Sequence, residues 1–103
     1  MHVMIVDDQR TTRAVLRGFL ERSGHVIMRE ASTGAETLAA LQECRPDVVL
    51  LDVELPDMSG IEVARQIMLS TPVPVVMISA HEEEDLVLQA TQAGIHAYLA
   101  KPI

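Results

Sequence analysis

Five polar residues stand at or just beyond the ends of apolar runs: Asp7 and Asp8 after residues 3–6, Asp52 after 48–51, Ser79 after 75–78 and Lys101 after 97–99. Three carboxylates gathered in one place repel one another unless a cation joins them. Oxygen ligands with positions left for water suit Mg²⁺, which takes a few carboxylates together with a phosphate oxygen; Mn²⁺ is the alternative. A carboxylate is also a nucleophile toward phosphorus and yields an acyl phosphate. The incoming phosphoryl charge then has to be met, in part by the metal and in part by an ammonium. Lys101 is the single lysine of the chain, against seven arginines. A hydroxyl at Ser79 can donate to a remaining phosphoryl oxygen. Singly, each residue has a plainer role, since Asp and Ser turn the chain at strand ends and Asp8 can cap a following helix.

The apolar runs that carry these residues read as strands at 3–6, 25–28, 48–51, 75–78 and 97–99. They are rich in Val, Ile, Leu and Met without clean polar alternation, the pattern of strands covered on both faces. The second and fifth are the weakest, as edge strands should be. Helical patterns separate them. Val15, Leu16, Phe19 and Leu20 form a stripe within residues 10–22, with Gly24 as its stop. Leu38 and Leu41 mark a second helix over 34–44, ended by Pro46. Ser59 caps a third running to 69, and a fourth covers 82–92 with Gly94 past its end. Glu82, Glu83, Glu84 and Asp85 crowd the first turn of the fourth, where the helix dipole favours negative charge. That run reads as a solvated helix start and not as a metal site. The alternation predicts an α/β fold, a doubly wound parallel sheet with right-handed crossovers. Ligands of such sheets bind at the carboxyl ends of the strands, where the five polar residues lie.

Composition narrows the functions. A chain of 103 residues, 49% of them hydrophobic, suits one folded domain over 1–103 and excludes intrinsic disorder. Phe19 and Tyr98 are the only aromatic residues and the formal charge is −7, which argues against nucleic-acid binding by stacking or by a basic surface. A lone cysteine, Cys44, excludes an internal disulfide and reads as packing. The aliphatic runs are far too short to span a membrane, and the N-terminus has no secretory pattern, so a cytoplasmic location is expected.

Asp7-Asp8 after a first apolar strand, Asp52 in LLDVELPDMSG, Ser79 in VVMISA and Lys101 in AYLAKPI together resemble the receiver domain of bacterial two-component response regulators. The resemblance runs the whole length of the chain. It implies a flavodoxin-like five-stranded sheet of order 2-1-3-4-5. It implies that Asp52 accepts a phosphoryl group from a histidine kinase or a histidine phosphotransfer protein. Asp7 and Asp8 would bind Mg²⁺ together with Asp52 and the backbone carbonyl of Glu54. Lys101 would pair with the phosphate, its bond to Pro102 being usually cis. Ser79 and Tyr98 would move together, switching the face around the fourth helix and fifth strand to control an output domain or downstream partner. The domain would be a phosphoacceptor that catalyses its own phosphotransfer and slow dephosphorylation, not an enzyme on another substrate. A pseudo-receiver that binds partners without phosphorylation lacks one or more of these residues, and none is missing here. A phosphatase with an aspartyl nucleophile would need its two-acid motif on the first strand, and Asp52-Val53-Glu54 is not there.

One departure is large. Receiver domains continue past the Lys-Pro turn into a fifth helix, and this chain stops at Ile103. The expectation is a receiver domain truncated before that helix, with an apolar sheet face left for another segment or for self-association. Smaller features remain open. Glu54 and His81 occupy positions that border the phosphoryl group in the family, or are simply solvated. Arg10, Arg13 and Arg17 line one face of the first helix, either as a solvated stripe or as a dock for an acidic partner.

Overall fold

The computed structural model describes residues 1–80 and 84–101. Their order is β1 (His2–Val6), α1 (Arg10–Arg22), β2 (Val26–Ala31), α2 (Gly34–Glu43), β3 (Val48–Asp52), α3 (Gly60–Ser70), β4 (Val75–Ser79), α4 (Glu84–Gln92) and β5 (Ala97–Ala100). The strands form one parallel sheet of order β2-β1-β3-β4-β5, the order that the resemblance implies. Among the described residues no helix is long and apolar enough to cross a membrane.

The apolar runs split their side chains between the two sheet faces, as a two-residue period requires. Met4 and Val6 of β1, Val49 and Leu51 of β3, and Val75 and Met77 of β4 point to one side. There they pack with Ala40 and Leu41 of α2, Ile61, Val63, Ala64 and Ile67 of α3 and Ala90 of α4. Val3, Ile5 and Ile78 point to the other side, where Leu16 of α1 is their one buried helical partner among the described residues. Val48 and Leu50 are only half-buried there, and Val15 and Phe19 are 63% and 58% exposed. The four-residue α1 stripe therefore does not all reach the core: Leu16 is buried and Leu20 half-buried, but Val15 and Phe19 stay exposed, Phe19 at the rim of an open groove. That groove, about 250 Å³, runs between α1 and the sheet over Val3, Leu50, Val76, Ile78 and Leu99.

Several boundaries differ from the sequence expectation. β2 runs on to Ala31 through Arg29 and Glu30, with a register shift against β1 between Val3 and Met4. It is an edge strand, where charged residues are tolerated, so polarity hid its length. α2 ends at Glu43 because Cys44 is already extended, and α3 reaches Ser70. Gly24 and Gly94 take φ of 90° and 97°, the left-handed conformation of a residue that ends a helix. Asp8 does not cap α1. The N-cap is Gln9, which makes no side-chain cap bond, and its backbone N–H is taken by Asp7 instead. Residues 82 and 83 of the fourth-helix expectation, together with His81, Pro102 and Ile103, lie outside the described residues.

Candidate functional site

β1 and β3 are adjacent and parallel, so Asp7 and Asp52 emerge side by side at the carboxyl edge. β4 is the next strand out and ends in Ser79, whose partner across the ladder is Ala100 of β5. Lys101 follows immediately, its N–H donating to the Ser79 carbonyl at 2.7 Å. Register alone therefore delivers four of the five polar residues to one place, and Asp8 follows Asp7.

The charged groups there answer one another. Lys101 Nζ donates to Asp7 Oδ2 at 2.9 Å and to Asp52 Oδ2 at 3.3 Å. Asp7 Oδ1 accepts from the Gln9 N–H at 2.8 Å, and Asp52 Oδ1 from the Glu54 N–H at 3.2 Å. Asp7 and Asp52 are 2% and 5% exposed, whereas Asp8 is open to solvent. Burial pushes the Asp52 carboxyl above its usual range, the Glu54 N–H opposes it, and the neighbouring Asp7 charge adds to the rise. Burial works against the Lys101 ammonium, but its bond to Asp7 and the charges of both aspartates outweigh this and hold it above its usual value.

One carboxylate oxygen from each of Asp7, Asp8 and Asp52 lies within 4.8 Å of the others. A cleft of about 180 Å³, lined by Asp8, Gln9, Asp52, Glu54, Ala80 and Lys101, opens over them. An all-oxygen donor set, partly buried and partly open, fits a hard divalent cation that keeps some of its water. Glu54 is exposed beside the cleft and its backbone pairs with Ser59 across the β3–α3 loop. Ser79 is fully buried at the end of β4. Tyr98 lies one strand further, half-buried against the larger core cluster.

Two sets of contacts are not announced by the sequence, one made by arginines of α1 and one by Asp57. Arg13 Nη1 donates to the Asp7 carbonyl at 2.5 Å, and its Nε to Glu30 Oε1 at 3.1 Å. Arg17 Nε also reaches Glu30, at 2.8 Å. Arg13, 17% exposed, thus braces the end of β1 against β2, while Arg17, 40% exposed, pairs with Glu30 and with Glu21 of its own helix. The other set is made by Asp57, whose Oδ1 accepts from the Gly34 N–H at 2.8 Å and whose Oδ2 accepts from the Ala35 N–H at 2.9 Å. The signal for Arg13 is its place one turn into a helix that starts beside Asp7. Asp57 looks like an ordinary turn residue, and its partners lie more than twenty residues earlier.

Known proteins share this architecture. The CheX–CheY–BeF3–Mg²⁺ complex from Borrelia burgdorferi matches with a TM-score of 0.95 at 31% identity, over 100% of this chain and 79% of that one. The receiver domain of a putative response regulator, NarL of Mycobacterium tuberculosis, matches at 0.93 with 36% identity, over 99% and 84%. By sequence, the chemotaxis protein CheY of Thermotoga maritima is 32% identical over 97% of this chain and 84% of that protein. A protein-glutamate methylesterase/protein-glutamine glutaminase of Haloarcula marismortui is 38% identical over 99% of this chain, but the chain spans only 28% of its length. A model of the response regulator receiver domain matches residues 3–103, and with these five positions at its carboxyl edge the chain belongs to that family, the receivers of two-component signalling.

Proposed function

We propose that the chain is a phosphorylation-dependent switch in which Asp52 accepts a phosphoryl group from a histidine kinase or a histidine phosphotransfer protein, in the cytoplasm. The observation that carries this reading is Lys101 Nζ bridging two buried carboxylates, one of which, Asp52, faces the cleft. A carboxylate oxygen of Asp52 attacks phosphorus. The P–N bond to the donor imidazole breaks and its electron pair returns to the ring nitrogen. The product is an acyl phosphate on Asp52.

The side chains of Asp7, Asp8 and Asp52 and the Glu54 carbonyl are the residues that would hold Mg²⁺. That ion supplies neutralisation of phosphoryl oxygen charge. Lys101 already lies against Asp52 and meets the remaining charge of the arriving group. Ser79, two strands from Asp7 at the same edge, donates its hydroxyl to a phosphoryl oxygen, and Tyr98 follows its movement. The readout is the α4–β5 face, which then favours or releases an output domain or downstream protein. The activities named for longer relatives belong to those whole proteins, and here they suggest only the kinds of output a receiver controls.

We also propose that the open face beside α1 seats a fifth helix, as the family resemblance implies, and that the 103-residue chain alone self-associates through it. Incubation with acetyl phosphate and Mg²⁺ followed by intact mass tests the main reading. One added phosphate, stable in acid and lost in hydroxylamine, is expected; no uptake favours a pseudo-receiver.

A further inference from the structure

We infer that Asp57 is a positioning residue for the metal site, tying the tip of the β3–α3 loop to the first turn of α2 and thereby fixing the Glu54 carbonyl. This inference rests on the proposed metal role of that carbonyl. The neck of the loop is closed by main chain: Glu54 pairs with Ser59, and the Gly60 N–H donates to the Val53 carbonyl at 2.7 Å. Beyond the neck, residues 55–58 project toward α2. Both carboxylate oxygens of Asp57 are used there, one on Gly34 and one on Ala35. Hydrogen bonds from backbone N–H groups to a charged acceptor are roughly twice as strong as neutral ones. The helix dipole adds to them. Their joint effect shows in the Asp57 carboxyl, which the Gly34 and Ala35 N–H groups hold below its usual range.

The contact is built for close approach. A Cβ at Gly34 would lie 2.5 Å from Met58 Cγ and 2.9 Å from Val63 Cγ2, so a side chain here would have to displace Met58 and Val63. The loop tip and the helix start are thus packed backbone to side chain, with Asp57 as the polar half of the joint and Met58 as the apolar half. α2 also has a cap of its own, since Thr33 Oγ1 accepts from the Glu36 N–H at 3.0 Å. Asp57 is therefore not needed merely to start the helix. It joins two elements, and the loop it holds carries Glu54 three residues upstream.

Mg²⁺ demands near-octahedral geometry, so a carbonyl released from its place is read directly as lost affinity. A backbone ligand has no side chain to mutate, which makes its tether the accessible handle. The test is a Mg²⁺ titration of the 103-residue chain followed by amide NMR, with hydrogen exchange at Gly34 and Ala35. Outer partners of metal ligands commonly contribute about 10–100-fold in affinity, and this one, acting at three residues' remove, is expected to contribute about fivefold to tenfold. Asp57→Ala should weaken Mg²⁺ binding by that factor and speed exchange at both amides. Asp57→Asn, which keeps an acceptor oxygen, should fall between the two and serves if the alanine variant does not fold. Thr33→Ala removes the helix's own cap and should leave Mg²⁺ affinity unchanged. If Asp57→Ala and Asp57→Asn bind Mg²⁺ like the parent while Asp8→Ala does not, the metal reading stands and the tether is overturned. If Asp8→Ala also binds like the parent, the metal reading itself has failed and takes the inference with it. Equal losses in Thr33→Ala and Asp57→Ala would reduce Asp57 to a helix cap and overturn the positioning role.

Discussion

At the carboxyl edge of the sheet the buried carboxylates have partners, whereas the face beneath α1 is left partly uncovered. At the edge, Lys101 answers Asp7 and Asp52, and backbone N–H groups take their other oxygens. On the α1 face, the apolar side chains of β1, β3 and β4 find one buried helical residue among those described, Leu16. The opposite face shows what completion looks like, with three helices over the same strands. The contrast teaches that the site is held more fully from one side than from the other. Met4, Val6, Val49 and Leu51 anchor the strands that carry Asp7 and Asp52 from the covered face. The α1 face adds Val3, Ile5 and the Arg13 bond to the Asp7 carbonyl, and its uncovered part is where a partner can add stability.

Predictions that break or sharpen this contrast run from large to small. Leu51→Ala, on the covered face, should cost about 2–5 kcal/mol, while Leu50→Ala, its neighbour on the half-buried side, should cost clearly less in the same denaturant titration. Equal costs would mean that the two faces hold the sheet alike. Lys101→Ala should slow phosphorylation from acetyl phosphate by about a hundredfold, or roughly 3 kcal/mol in the barrier, measured by intact mass against time. A change of only a few-fold would remove the ammonium from the chemistry. Phe19→Glu places charge at the rim of the open groove. It should leave the melting temperature nearly unchanged and lower the self-association seen in sedimentation at high concentration. A parent chain that is already monomeric there, and as stable as a chain carrying a fifth helix, would show that the open face is no liability.

The smallest effect is one of pH. The Asp52 carboxyl is raised in the folded state, chiefly by burial. A raised acid binds its proton more tightly folded than unfolded, so stability is present below the unfolded value and is lost as pH rises through the folded one. In divalent-free buffer the parent should therefore lose stability as pH rises above the ordinary carboxylate range. Asp52→Asn should lack that slope and melt slightly higher at neutral pH. Asp57, lowered by its two backbone partners, has the opposite sign, and its contribution is lost as pH falls below the ordinary range. A thermal melt series across pH checks both.

Much of this is legible in the amino-acid sequence. Four-residue aliphatic runs at β1, β3 and β4 admit little besides buried parallel strands, and the polar residue after each has to sit at the carboxyl edge. Asp7, Asp52 and Ser79 follow from that, with Asp8 next in the chain, whereas Lys101 hangs on the weaker fifth run. What stayed hidden was of two kinds. Arg29 and Glu30 break the apolar pattern of β2, so its last residues were unreadable, although Glu30 is the partner that fixes Arg13 and Arg17. Asp57 joins an element more than twenty residues away, and no local pattern announces a partner at that distance. Val15 and Phe19 have the right helical spacing for burial, but spacing says which residues share a face and not whether anything covers it.

The central claim is that Asp52 is the phosphoacceptor of a metal-dependent receiver. Its most direct test is acetyl phosphate with and without Mg²⁺, on the parent and on Asp52→Asn, read by intact mass and by mapping the modified peptide after borohydride reduction of the acyl phosphate. One phosphate on the parent, mapped to Asp52, dependent on Mg²⁺ and absent from the variant, is the predicted result. Equal uptake by Asp52→Asn, or modification mapped to another residue, would contradict it.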